Sequence, residues 1–560
     1  MFEKILIANR GEIAVRVIRA CREMGIASVA IYSEADAEAI HAREADEAFC
    51  CGPPRATESY LDVAGIVEIA RACGADAVHP GYGFLSENAE FARAVVEAGI
   101  TFIGPTPEVI EAMGLKIAAR ARMIEVGVPV VPGGERIDNV DAARLQAAEM
   151  GYPVLVKASA GGGGRGMRRV DSEQELPAAL ERAASEAEAA FGDGAIYLEK
   201  LLEGPRHIEL QVMADEHGHV IHLGERECSI QRRHQKLVEE APAYGMTAAL
   251  RERMGEAAVR AARAVDYVGA GTVEFLLDAH GHFYFLEMNT RIQVEHPVTE
   301  AVTGVDLVQT QIRMAAGERL EIAQEDVRIE GHAIEVRVYA EDPDKGFIPS
   351  PGPIVAWRAP EGPGLRLDAG FEGGQTVTSH YDPMIAKLIA TGTDRREALS
   401  RLEGALDAFV IAGIRTGLPF LRRVCENAAF REGAYDTGFI EHEMTDPSPL
   451  EPALEATRRD RILPGGTLFV RSVDIGGAEN AAYSAYPRRG AFVLRRSLRS
   501  TSSGVRFRRV DGASRLECRP RSAIAATTDR VLTVSFGAAP AGIRTSSPIF
   551  FICFIHPSTG

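Results

Sequence analysis

Cysteine is scarce, with eight in 560 residues. That is too few for a disulfide scaffold, and the adjacent Cys50-Cys51 lacks the C-x-x-C spacing of a metal site, so a reducing cytoplasm is expected. A long hydrophobic run is also missing. The late apolar stretch Ile549–Ile555 falls far short of the ~20 residues that span a bilayer, and the opening Met1-Phe2-Glu3-Lys4-Ile5 leads straight into a strand-like stretch. Neither export nor a membrane anchor is expected. Nor is there an excess of positive charge: 62 Lys+Arg stand against 79 Asp+Glu, a formal balance of −17, which disfavours nucleic acid or an anionic membrane as a partner. What is present is globular. Apolar residues make up 46% and charged residues 25%, with 55 Gly and 29 Pro, and the length predicts about three to five domains.

The first segment alternates strand and helix. Lys4–Ala8 reads as a buried strand and Ser28–Tyr32 as a second strand, Glu12–Glu23 and Asp62–Cys73 as helices. This rhythm implies a parallel sheet covered on both faces, with Asn9-Arg10-Gly11-Glu12 at the strand-to-helix turn where such sheets bind ligands. No G-x-G-x-x-G follows the first strand, so a dinucleotide there is not expected. A second segment opens with a helix near Gly114-Leu115-Lys116. It then reads strand, glycine-rich loop, strand (Pro153–Lys157, Gly161–Gly166, Met167–Val170) and an Ala/Glu-rich helix, Gln174–Ala190. The polar turns Asp215–His219 and Asp278–His282 signal two hairpins, and their His-Gly-His triplets read as exposed turns because no third ligand stands at a recognised spacing. A third segment, about Gly331 to Met444, mixes strands and helices. Residues 451–560 differ, with 17 Arg, 8 Asp+Glu and no Lys, a balance of +9 on a body of −26. That Arg-rich tail admits three readings: a small extra domain, a disordered extension or a change of reading frame.

Gly161, Gly163 and Gly166 match G-x-G-x-x-G only formally, because this loop joins two strands and does not open a helix; it also lacks the G-K-[ST] of a Walker loop. A side-chain-free loop remains, able to fold its N–H groups over phosphate, with Lys157 beside it as a point charge. In Glu287-Met288-Asn289-Thr290-Arg291-Ile292-Gln293-Val294-Glu295 every odd position is charged or amide. If extended, these side chains line one side over about 26 Å. The preceding Phe283–Leu286 is apolar on both faces, so the polar row emerges from a buried strand into a cleft. Glu274, in the partner strand Thr272–Leu277, adds a carboxylate. Glu274, Glu287 and Asn289 offer hard oxygens suited to Mg²⁺ with substrate phosphates, and Arg291 offers a planar fork suited to a small oxyanion. The basic run Gln231–Lys236, amid Glu225, Glu227, Glu239 and Glu240, completes a candidate anion clamp.

These residues resemble the biotin carboxylase family of ATP-grasp enzymes over about residues 1–446. The resemblance rests on Lys4–Ala14, His79-Pro80-Gly81-Tyr82-Gly83-Phe84-Leu85-Ser86-Glu87-Asn88, Lys157–Gly166, Glu227–Lys236, Glu287–Glu300 and His380–Lys387, in order and at family-like spacing. It implies an α/β protein with a doubly wound, Rossmann-like N-terminal domain (1–114), a central ATP-grasp domain (115–330) with a hinged lid over about 129–202, and an α+β C-terminal domain (331–446), followed by the tail (447–560). It implies that Lys116, Lys157, Gly162, Gly163, Gly164, Glu199, Lys200, Leu202, His207, Gln231 and His234 hold ATP. Glu274, Glu287 and Asn289 would hold Mg²⁺ or Mn²⁺. Lys236, Arg291, Gln293 and the Val294 backbone would bind bicarbonate, Glu295 would act as base, and Arg337 would face the biotin ureido oxygen. A homodimer is implied, working with a biotin carboxyl carrier protein and a carboxyltransferase, in the first half-reaction of an acyl-CoA (acetyl- or propionyl-CoA) carboxylase.

The Ala-Met-Lys-Met hairpin that carries biotin in multidomain relatives does not occur, and Lys387 is the last lysine. The expectation is biotin presented by a separate carrier, or a chain shortened from a longer one. Two alternatives share part of the pattern: another ATP-grasp ligase, which would not explain Arg337 or the Glu295 string, and an inactive nucleotide-binding regulatory homologue.

Overall fold

The computed structural model describes residues 1–137, 139–158, 167–192 and 194–445, and beyond them only seven short strands between 468 and 557. Two units separate, Met1–Pro447 and Ser448–Gly560. Within the second, the seven strands form one antiparallel meander in sequence order.

The N-terminal part of the first unit is a five-stranded sheet in the order Glu47–Gly52, Ala27–Ser33, Lys4–Ile7, Ala77–His79, Thr101–Phe102, every pair parallel. Its three central strands, Ala27–Ser33, Lys4–Ile7 and Ala77–His79, are largely buried, as a sheet between helix layers requires, while the edge strand Glu47–Gly52 is half-exposed. The helix Gly11–Met24 covers one side and Val63–Cys73 the other. Asn9 Nδ2 donates to Pro80 O at 2.7 Å and Tyr82 O at 2.8 Å, while Arg10 makes a two-pronged pair with Asp36 at 2.6 and 2.8 Å. The turn expected to receive a ligand is thus filled by the chain's own polar groups.

A four-stranded antiparallel sheet, Gly133–Arg136, Ile196–Lys200, Val154–Ala158, Arg168–Val170, carries helices Val140–Met150 and Leu176–Phe191 over a separate apolar core. This is the segment expected to be a lid. Its root is tied to the strand Phe283–Asn289 through Phe285 N to Pro129 O, 2.7 Å.

The site is carried by an eight-stranded antiparallel sheet in the order Phe283–Asn289, Gly269–Leu277, Arg206–Ala214, Val220–Arg232, Gln235–Ala241, His332–Tyr339, Met384–Gly392, Leu365–Ala369. One sheet therefore runs through the sequence boundary expected near residue 330. The helix Ala248–Ala264 packs over its first half and Arg395–Ala408 over its second. At both expected hairpin tips an aspartate holds two amides, Asp215 those of His217 and His219 at 2.9 Å each, Asp278 those of His280 and His282 at 2.8 Å each. Among the described residues no helix is long and apolar enough to cross a membrane.

Candidate functional site

Side chains directly opposite each other in an antiparallel ladder share a face. Register alone therefore sets Glu287, Glu274, Glu209 and Arg226 in one transverse row across four strands, with Asn289, Thr272 and Gln211 in the next. Arg226 is wholly buried. It donates to Glu209 at 2.7 Å, Gln211 at 2.8 Å, Thr299 at 3.0 Å, Thr272 at 3.1 Å and Gln293 at 2.7 Å. A guanidinium held by so many acceptors keeps its charge in the core.

Above this floor Lys236 Nζ meets three carboxylates: Glu209 at 2.6 Å, Glu274 at 2.9 Å and Glu295 at 2.6 Å. Burial opposes its charge, but the three anions outweigh burial and raise its pKa well above the ordinary lysine value. Glu274 is pushed up by burial and pulled further down by Lys236 and His207, so it stays ionised. His207 Nε2 lies 3.2 Å from Glu274 and 3.4 Å from Glu209, and although burial opposes it, chiefly Glu274 lifts the imidazole to about 9. Its Nδ1 sits 3.1 Å from Gln231 Nε2.

Arg337 divides its guanidinium between Glu239, 2.6 Å, and Glu295, 2.9 Å. The two carboxylates that share it part company. Burial pushes Glu239 up to about 7 despite Arg337, whereas Glu295, equally buried, is drawn below its usual value first by Lys236 and then by Arg337. Two acids that share one guanidinium are thus held in different protonation states, a separation that acid–base chemistry can use. Arg291 favours ionised Glu295, as expected, through its charge and not by contact; its guanidinium donates directly to Glu87 at 2.8 Å and Asn289 Oδ1 at 3.0 Å.

The expected nine-residue extended run is shorter in fact. The strand ends at Asn289, a loop follows, and a helix starts at His296 with Pro297 in its first turn. Proline fixes φ and lacks an N–H, so it suits a helix start and stops a strand. Gln293 and Glu295 still reach the same centre from the loop, Gln293 Nε2 donating to Glu274 at 2.8 Å.

Among the residues expected to hold a nucleotide, Lys157 pairs with Glu199, and Lys116 stands 3.5 Å from Glu287. Lys200 turns its ammonium to Gly151 O at 2.9 Å and Tyr152 O at 3.1 Å and donates its N–H to Pro132 O at 2.9 Å, and Leu202 follows in the connection to Arg206–Ala214. His234 is exposed at the tip of the hairpin Val220–Arg232/Gln235–Ala241, in a two-residue turn where Arg233 and His234 both have positive φ, 49° and 67°. The expected phosphate loop, including Gly162, Gly163 and Gly164, lies outside the described residues.

Glu274 and Glu287, face to face on adjacent strands, with the Asn289 carboxamide beside them, are hard oxygen donors that suit Mg²⁺ or Mn²⁺ better than a thiophilic metal. The sequence reading missed Glu209 and Arg226. The signal was there: His207, Glu209 and Gln211 alternate with Ile208, Leu210 and Val212, and Arg226 sits between two acidic residues in a strand buried on both faces.

Three family descriptions match the chain: "Biotin carboxylase, N-terminal domain" over residues 1–110, "Carbamoyl-phosphate synthase L chain, ATP binding domain" over 116–323, and "Biotin carboxylase C-terminal domain" over 335–442. A biotin carboxylase of Halalkalibacterium halodurans is 55% identical over 446 residues, 79% of this chain and 98% of that protein. A biotin carboxylase of Bacillus subtilis is 53% identical over 443 residues, again 79% of this chain and 98% of that protein. Among solved structures, the biotin carboxylase domain dimer of Hydrogenobacter thermophilus 2-oxoglutarate carboxylase, in complex with MgADP, ADP and bicarbonate, superposes with a TM-score of 0.76 at 52% identity, covering 79% of this chain and 97% of that one.

Proposed function

Because the chain belongs to the biotin carboxylase family, an ATP-dependent ligase that carboxylates biotin with bicarbonate, we propose that the residues gathered on the eight-stranded sheet divide the reaction as follows. Lys116, Lys157, Glu199, Lys200, Leu202, His207, Gln231, His234 and the loop of Gly162, Gly163 and Gly164 hold ATP. Glu274, Glu287 and the Asn289 oxygen hold Mg²⁺ or Mn²⁺, whose chemistry there is to neutralise charge on the transferring phosphoryl group. Lys236, Arg291, Gln293 and the Val294 main chain bind bicarbonate. Glu295 takes its proton, and the oxygen so freed attacks the terminal phosphorus to give carboxyphosphate and ADP. The segment 129–202 closes over this intermediate and keeps water from it. Carboxyphosphate then yields CO₂ and phosphate. The phosphate takes the proton from biotin N1′, and Arg337 stabilises the negative ureido oxygen as N1′ attacks CO₂.

One observation supports this above the rest. Glu295 is buried yet ionised, clamped between Lys236 at 2.6 Å and Arg337 at 2.9 Å, so a base, an anion-binding ammonium and a guanidinium converge within hydrogen-bond reach. The test is ATP cleavage that requires bicarbonate and is stimulated by free biotin. Cleavage indifferent to biotin would assign the site to another ATP-grasp ligase, and ATP binding without turnover to a regulatory role.

Biotin reaches this cleft on a carrier protein, and we place the enzyme, as a homodimer, in the cytoplasm, where the free thiols of Cys21, Cys50, Cys51, Cys73, Cys228 and Cys425 remain reduced. The acceptor we propose is an acyl-CoA, acetyl- or propionyl-CoA, chosen by the carboxyltransferase that discharges the carrier. Coupled assays with acetyl-CoA, propionyl-CoA and pyruvate decide it.

A further inference from the structure

The bicarbonate contact proposed at Val294 is to main chain, and a loop peptide needs something to fix its plane. In a trans peptide the carbonyl of one residue and the N–H of the next point in opposite directions, so anchoring the first aims the second. Two fully buried side chains do this on consecutive peptides. His296 Nδ1 lies 2.8 Å from Gln293 O, and Lys387 Nζ donates to Val294 O at 2.7 Å. A carbonyl only accepts, so Nδ1 carries the proton in this contact. Burial first, then repulsion from Lys387, Arg16 and Arg366, keeps the imidazole neutral, with its pKa well below the usual range. Lys387 is held in turn by Glu12 Oε2 at 3.3 Å, from the helix Gly11–Met24. Among the described residues the N–H groups of Val294 and Glu295 have no protein acceptor. Both precede the helix His296–Thr303, whose N-terminal dipole also favours an anion.

We propose that His296 and Lys387 are positioning residues that preset the consecutive N–H groups of Val294 and Glu295 as paired donors to the bound one-carbon oxyanion. This rests on the bicarbonate reading above. Neither side chain touches substrate; each acts through the peptide it holds. Aligned donors of this kind help only while their direction is fixed, and small misplacements are costly.

The experiment is steady-state kinetics of bicarbonate-dependent ATP cleavage, with thermal unfolding recorded alongside. His296→Leu removes the donor and fills the space, whereas His296→Asn places an amide N–H where Nδ1 stood. His296→Leu is expected to raise KM for bicarbonate roughly tenfold or more while KM for ATP stays within about twofold, and His296→Asn to recover most of that loss. The double variant Glu12→Gln/Lys387→Met replaces the buried ion pair with neutral groups of similar size, and it should repeat the His296→Leu split independently. Unchanged bicarbonate KM in both, parallel losses for ATP and bicarbonate, or His296→Asn behaving as His296→Leu would overturn the positioning role alone. Absence of bicarbonate-dependent cleavage in the unaltered protein would overturn the functional reading, and this inference with it.

Discussion

A single side chain decides whether the cleft holds a usable base. Glu295 is fully buried, which alone would keep it protonated, and it is ionised because Lys236 and Arg337 grip one oxygen each. Glu295→Gln keeps the shape and removes the proton acceptor, so turnover is expected to fall by at least about a hundredfold while ATP binding, followed by calorimetry, stays intact. Activity equal to the unaltered protein's would exclude Glu295 as base. Arg226 works differently, as the post on which Glu209, Gln211, Thr272, Thr299 and Gln293 are hung. Removing one partner of a buried charge pair strands the other, at a cost of about 3–5 kcal/mol. Arg226→Met should therefore destabilise the protein by that amount in denaturant unfolding, and Arg226→Met with Glu209→Gln by clearly less. An additive double variant would show that Glu209 is not what the guanidinium neutralises.

Elements bring these residues together, and here the sequence was legible unevenly. Alternation in Glu287–Asn289 revealed a polar face, because side chains in a strand change sides at every residue. The alternation continues in the sequence through Arg291 to Glu295, yet the strand does not, because Pro297, two residues beyond, starts a helix. The transverse row Glu287–Glu274–Glu209–Arg226 was only half visible, since Glu274 was found from its hairpin partner while Glu209 and Arg226 come from strands brought alongside by pairing over long sequence distances. Motif resemblance supplied Gln231 and His234, which no local periodicity singles out, and His207, which heads the alternation His207, Glu209, Gln211. The turn Arg233-His234 was not legible at all. Two residues with positive φ in a hairpin turn call for Asn-Gly, and although histidine enters that region more readily than most, arginine does not. Arg233→Asn/His234→Gly is accordingly expected to stabilise the protein by about 1 kcal/mol and, on the role proposed for the His234 imidazole, to weaken ATP binding. Unfolding midpoint and ATP affinity check the two halves separately, and a destabilised variant would show that the turn carries no strain.

At the scale of the whole first unit, residues distant in sequence close on one buried carboxylate. Glu240, on a central strand of the large sheet, accepts from His332 at 2.5 Å, from Arg395 at 2.7 and 3.1 Å, and from the Tyr435 hydroxyl. These partners come from the neighbouring strand, the helix Arg395–Ala408 and the final turns before Phe439, so the contact fastens the C-terminal helices to the sheet that carries the site. Burial would raise the pKa of Glu240, but the hydrogen bond from His332 and the charge of Arg395 lower it from 4.5 to about 2. A carboxylate that binds its proton less readily in the folded than in the unfolded state stabilises the fold above the unfolded pKa, and loses that contribution as pH falls through the folded one. The window is therefore pH 4.5 down to about 2, and the shift corresponds to about 3 kcal/mol. Glu240→Gln should be less stable than the unaltered protein by roughly this much near pH 7, with the gap constant down to about pH 5 and narrowing below it as unfolding is followed at successively lower pH. A gap that widens on acidification would reverse the sign, and would mean that Glu240 is protonated in the native protein and that its cationic neighbours are neutralised elsewhere.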